Sequence, residues 1–331
     1  LEYATLIQNT LGDGGNWGMF VGLIEKYGIV PKSIYPDNYQ SKSTAQMNII
    51  LETLILQSSL HIHTNTTRSA FQSIKLKVLE NCYRVINMFL GNAPVTFVWS
   101  HVETQKEHVY TPLSFYKKIL KPLFDPTQFV CIAHNPTERL NSVFGVEYTS
   151  NITESGQDIK RSKYAVYANI PLSDFKVSVF NTLKKGTAVW FACDVNKFWL
   201  DNFSVLDQNA SNLNDMLDLD ISLEKGKCLK TRTIIPNHAM VFTGVHKNGN
   251  IFERWKVENS HGAFNNNLGF SVMSDKWFEH FVICAAVPKN CLPKHVYTLL
   301  NNNPKVKWLP YWSILGKEYE SRYAYDTNNN Q

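Results

Sequence analysis

Apolar positions in the run WGMFVGLIEKYGIV, residues 17–30, recur every three to four residues until Gly28 and Pro31 intervene. That spacing predicts an amphipathic helix with its stop signals in place. Two longer stretches, Lys42 to Leu60 and Ala70 to Leu90, follow the same period. In the second, Leu76, Leu79, Tyr83, Ile86 and Leu90 share one face, and Gly91-Asn92-Ala93-Pro94 ends the pattern. Thr111-Pro112-Leu113 opens a short helix through Leu120, with proline in the first turn, where a missing N–H costs nothing. Beyond about residue 125 the period changes. Phe129–Ala133, Thr187–Cys193, Ala239–Val245, Arg254–Val257 and Phe281–Val287 are short runs rich in Val, Phe, Trp and Ile, bounded by Gly, Asn and Pro. These are strand signals, and Asn248-Gly249 between two of them predicts a hairpin turn. Residues 151–163 and 205–235 are polar and read as loops. Helices first and strands later make an α+β chain.

Composition narrows this picture without redirecting it. With 331 residues, 44% hydrophobic and 13% aromatic, the chain can bury a substantial core, which excludes global disorder. A net charge of +5 is a mild excess, the mark of a mixed-charge surface. No stretch has the length and apolarity of a membrane span, and the first twenty residues lack the basic start and apolar run of a signal peptide. The chain opens on Leu1 rather than Met, which points to a true start further upstream. Its six cysteines show no CxxC or framework spacing and read as reduced thiols of a cytoplasmic protein.

The candidate chemistry rests on His238 and Asn259, each carried by an apolar, strand-like run. A cysteine peptidase needs a thiolate, an imidazole to exchange protons with it, and a group to orient the imidazole. Paired strands would bring such a His and Asn together, whereas a lone His beside a strand is by itself a structural residue. His61-Ile62-His63 would place two imidazoles on one side of a strand, but no further ligands accompany them, so neither a metal nor a cofactor is expected. Lys160-Arg161-Ser162-Lys163 and Lys184-Lys185 read as surface charge.

Several blocks then carry a resemblance. Asn237-His238-Ala239-Met240-Val241-Phe242-Thr243, Arg254-Trp255-Lys256-Val257-Glu258-Asn259-Ser260 and Val272-Met273-Ser274-Asp275-Lys276-Trp277-Phe278 stand in order with Asp13-Gly14-Gly15-Asn16-Trp17, Glu25–Lys32, Lys121–Phe124 and Ala188–Val195. In these the chain resembles the bleomycin hydrolase family, the C1B branch of papain-like cysteine peptidases. The resemblance implies a papain-like fold with a helical half and a strand-rich half flanking a cleft. The corresponding division is a mainly helical part over 1–125, a strand-rich part over 126–290 and a C-terminal arm over 291–331. It implies an aminopeptidase acting on peptides, with His238 as proton shuttle and Asn259 as its orienter. Gly14 and Gly15 would pair their backbone with an extended substrate, although Gly-Gly alone equally describes a tight turn. It also implies a homo-oligomer, hexameric in relatives, weak nucleic-acid binding as a side expectation, and no membrane association.

Three departures qualify the resemblance. The family's glutamine and its Cys-Trp nucleophile precede the Asp-Gly-Gly block, where this chain has no cysteine in Leu1–Gly12. The expectation is a chain with its N-terminal portion missing, inactive alone, whose helix near residues 17–30 has lost part of its packing. Cys193 matches a structural cysteine of the family rather than a substitute nucleophile. His261 stands where the family has a Trp that shields the Asn–His bond, which predicts a weaker bond. Ser313-Ile314-Leu315-Gly316 and a polar tail to Gln331 replace the family's C-terminal approach to the cleft and put exopeptidase specificity in doubt. The alternative is an inactive relative that binds peptides, nucleic acid or its own kind.

Overall fold

α1 (Trp17–Tyr27) stops at Gly28, which adopts φ 78°. A Cβ at this position would lie 2.2 Å from the Pro112 backbone, so both the conformation and the approach demand glycine. The computed structural model describes residues 7, 10–11, 14–64, 67–101, 105–148, 152, 156–157, 159–210, 213–219, 224–260, 268–302 and 304–313. Its contacts group into two units, Leu1–Asp13 with Ile24–Phe124, and Gly14–Leu23 with Asp125–Gln331.

In the first unit α2 (Ala45–Thr64) and α3 (Arg68–Leu90) form a helical hairpin. Thr67 caps α3 by accepting from Ala70 N, and Gly91 at φ 83° follows its last turn. No residue of α3 is buried, and the face drawn by Leu76, Leu79, Tyr83 and Ile86 lies on the surface. α2 runs through His61 and beyond, so the backbone at 61–63 is helical and the strand proposed there is wrong. β1 (Phe97–Ser100) and β2 (Glu107–Tyr110) pair antiparallel, a hairpin the sequence reading did not propose. α4 (Pro112–Phe115) starts at a reciprocal Thr111–Ser114 capping box and continues into a π-helical turn, Tyr116–Leu120. Phe97, Tyr110 and Phe115 are buried together, with Trp99 and Ile119 against them. Glu25 Oε1 accepts from Tyr116 OH at 2.5 Å and from Lys121 Nζ at 3.0 Å, a charge satisfied where it is buried.

The second unit is built on a sheet. In chain order it holds β3 (Phe129–Ala133), β4 (Ser142–Glu147), β5 (Val166–Asn169), α5 (Leu172–Lys184), β6 (Val189–Cys193), β7 (Trp199–Leu200) and β8 (Val205–Leu206). There follow α6 (Leu213–Leu217), α7 (Lys225–Thr231), β9 (His238–Asn248), β10 (Ile251–Glu258), β11 (Phe270–Ser274), α8 (Asp275–Phe281), β12 (Val282–Pro288), α9 (Lys294–Asn301) and β13 (Lys307–Pro310). Among the described residues one sheet of eleven strands has the order β13-β4-β5-β3-β12-β6-β9-β10-β11-β8-β7. Phe191 and Phe242 stack at 3.8 Å, and Trp255 stacks on Phe278 of α8 at 4.6 Å, all fully buried. β9 and β10 turn through Gly249 and Asn250, with Gly249 at φ 55°.

Residues 205–235 are not the loop their polarity suggests. They include β8, α6 and α7, and α7 buries Lys225, Cys228 and Leu229. The polar appearance came partly from Lys225, whose ammonium is internal: Nζ donates to Val282 O at 2.5 Å and Glu279 O at 3.2 Å. It thus answers carbonyls at the end of α8 that the helix leaves without partners. No helix among the described residues is long and apolar enough to cross a membrane.

Candidate active site

His238 opens β9, which pairs with β6 on one side and β10 on the other. Glu258 of β10 lies opposite Val241, so Asn259, the next residue, stands diagonal to His238 at the same end of the hairpin. Diagonal neighbours on one face are within reach of polar side chains of this length. His238 Nε2 and Asn259 Oδ1 are 2.8 Å apart. The Ser260 backbone N–H also donates to Asn259 Oδ1 at 2.8 Å, which identifies that atom as the oxygen. The imidazole must then donate through Nε2–H, which makes Nδ1 the basic nitrogen of the neutral ring. Asn259 N donates to Gly269 O at 2.9 Å, so the orienting residue is itself fixed.

The platform beneath is cross-linked by side-chain hydrogen bonds. Trp255, four residues before Asn259, donates from Nε1 to Asp275 Oδ1 at 3.0 Å. Asp275 Oδ2 accepts from Lys176 Nζ at 2.6 Å, and the same ammonium reaches Glu279 Oε1 at 2.6 Å. These supporting groups escaped the sequence reading. The signal for one was present, since Asp275 follows Ser274 at a strand-to-helix junction where an acid suits the first turn.

The cysteines are not arranged for nucleophilic work. Cys193 faces His238 in register on β6 but is 0% exposed. Burial pushes its thiol well above the usual range, and the charge of Asp194 adds to this, the opposite of what a reactive thiolate needs. Burial likewise raises Cys131 and Cys228. A thiol–imidazole contact does occur elsewhere, with Cys228 Sγ 3.8 Å from His280 Nε2. Burial holds that thiol up and that imidazole down, so their ion-pair form is disfavoured.

Gly14 and Gly15 are exposed and lead into α1, and a Cβ on Gly15 would meet nothing within 4 Å. They are held to the strand-rich unit through Trp17, whose ring lies 5.3 Å from Phe129 and 6.1 Å from Trp190 of β6. His261 lies outside the described residues, as do Ile314–Gly316 and the tail beyond.

The Peptidase C1-like family model matches residues 2–316. Mouse bleomycin hydrolase is 31% identical over 325 residues, covering 94% of this chain and 70% of that protein. Aminopeptidase C of Lactobacillus delbrueckii subsp. lactis is 32% identical over 317 residues, covering 92% and 68%. Among solved structures, PepW from Lactobacillus rhamnosis HN001 superposes with a TM-score of 0.83 at 28% identity, covering 96% of this chain and 71% of that one. The papain-like mixed architecture and the cysteine-peptidase lineage follow together: this chain belongs to the Peptidase C1-like family, among cysteine peptidases of the bleomycin hydrolase and aminopeptidase C type.

Proposed function

We propose that the chain supplies the histidine and asparagine of a Cys–His–Asn site in a cytoplasmic aminopeptidase, with the reacting thiol on a residue outside these 331. The observation that supports this reading is the His238 Nε2–Asn259 Oδ1 bond of 2.8 Å, which fits Nδ1 as the nitrogen for proton transfer. In the first half-reaction Nδ1 takes the thiol proton and the thiolate attacks the peptide carbonyl. The C–N bond breaks, the proton passes to the leaving amine, and an acyl thioester remains. Water then gives a proton to Nδ1 while its oxygen attacks the thioester, which releases the acid and restores the thiolate–imidazolium pair. Gly14 and Gly15 would present backbone to an extended peptide, as their exposure permits.

The chemistry is tested by treating the intact protein from its natural source with an epoxide thiol-peptidase probe and mapping the labelled peptide. Label on a peptide absent from these 331 residues supports the reading. Label on one of the six cysteines relocates the nucleophile. Intact, folded protein without label favours the second reading, an inactive relative that binds peptides, nucleic acid or copies of itself. One observation suits self-association in either case: Leu76 and Tyr83 on α3 are 65% and 67% exposed along a single face.

A further inference from the structure

Asn237, the residue before His238, is anchored three times. Its backbone N–H donates to Cys193 O at 3.0 Å, its Oδ1 accepts from Val195 N at 2.9 Å, and its Nδ2 donates to Asp194 Oδ1 at 2.6 Å. Asp194 is 1% exposed. Its Oδ1 also accepts from Asn196 N at 3.2 Å, its Oδ2 accepts from Ile235 N at 3.2 Å, and its own N–H donates to Phe281 O at 3.1 Å. Burial raises the carboxyl pKa, while the bonds from Ile235 and Asn237 oppose that rise. Every named partner of the two carboxylate oxygens is an N–H donor, the surroundings that an ionised carboxylate requires.

The location gives this cluster its meaning. Cys193 pairs with His238, so Asp194 and Asn237 make the next cross-link beyond the ladder, at the point where β9 begins. Pro236 between the two anchored residues has no N–H to offer and a fixed φ. We propose that Asp194 and Asn237 form a positioning clasp that fixes the entry of β9 into the sheet and so keeps the His238 ring on Asn259. Neither residue meets the reacting atoms. A first strand residue has ladder support on one side only, and a backbone rotation there displaces the imidazole nitrogens by more than a 2.8 Å bond tolerates.

The clasp rests on the reading of His238 and Asn259 as a working pair, but its test reads geometry rather than turnover. The full chain labelled with 15N-histidine reports the tautomer of His238 and the solvent exchange of its Nε2–H. Asn259→Ala sets the signature of direct loss. Asn237→Leu, close in volume but without the amide, is expected to accelerate that exchange by about tenfold or more and to mix the tautomers, with Asp194→Asn intermediate. His134, whose Nδ1 bonds Ile170 O at 2.9 Å, serves as reference and should not change. Far-UV circular dichroism establishes that each variant is folded at the temperature used, and Asn237→Ser replaces any variant that is not. Unchanged exchange and tautomer at His238 in folded variants would overturn the clasp. An unprotected Nε2–H in the unmodified chain would remove the pair and the clasp together. Failed epoxide labelling with a protected ring would remove only the proposed chemistry.

Discussion

The helical hairpin and the strand hairpin both present long apolar stretches, and they dispose of them in opposite ways. β9 and β10 send Phe242, Trp255 and Val257 into a sealed core, while α3 buries none of its residues. Apolar periodicity therefore predicts where an element has a face without predicting what covers it. In the strand-rich unit the covered face is the foundation of the His–Asn pair. On α3 the same kind of residue is left exposed.

The strongest way to break this contrast is to truncate one residue from each side. Trp255→Ala should cost about 3–5 kcal/mol in urea denaturation, whereas Leu79→Ala should stay within about 0.5 kcal/mol. Equal effects would mean that the two surfaces are not different in kind. In the intact enzyme, His238→Ala should lower kcat/KM by about 10²–10⁴ while leaving the denaturation midpoint near that of the parent. A large stability loss with little change in rate would make His238 structural.

Lys225 sharpens the strand-rich side further. Burial pushes its pKa from 10.5 down to about 7, against two carbonyl acceptors that favour the charged form. The folded chain thus binds this proton less readily than the unfolded one. Its contribution to stability is greatest above about 10.5, falls as pH drops towards 7, and levels off below, spanning a few kcal/mol at most. Buried thiols and Tyr167, raised by burial, act in the opposite sense at alkaline pH. The contribution is isolated by comparing denaturation of the parent and Lys225→Met between pH 7 and 10. Parallel curves would show that Lys225 keeps an ordinary pKa. The smallest effect on folding belongs to Leu76→Ser with Leu79→Ser. These changes should leave the midpoint nearly untouched yet reduce self-association in sedimentation velocity.

Much of this was legible in the residues. α2, α3, β3, β6, β9, β10 and β12 follow from period and punctuation, and His238 and Asn259 stand out because each accompanies a strand. What was hidden depends on partners distant in sequence. β4 and β5 pair with each other and with β13 and β3, and α7 reads as polar because its lysine finds carbonyls 54 and 57 residues later. Asp194 reads as an ordinary strand-end acid until the fold places Ile235 and Asn237 around it.

The two-residue tip at Gly249 and Asn250 has a consequence for how such a chain can diversify. His238 and Asn259 belong to one continuous ribbon, with the tip some 35 Å away from them at about 3.4 Å per residue. Lengthening the tip changes a surface, but one residue added inside either arm moves histidine and asparagine past each other unless a bulge absorbs it, as the register already does at Glu253 and at Thr243. The ribbon acts as a ruler closed at one end: the tip can lengthen at little expense, while the open end depends on the count in both arms, bulges included.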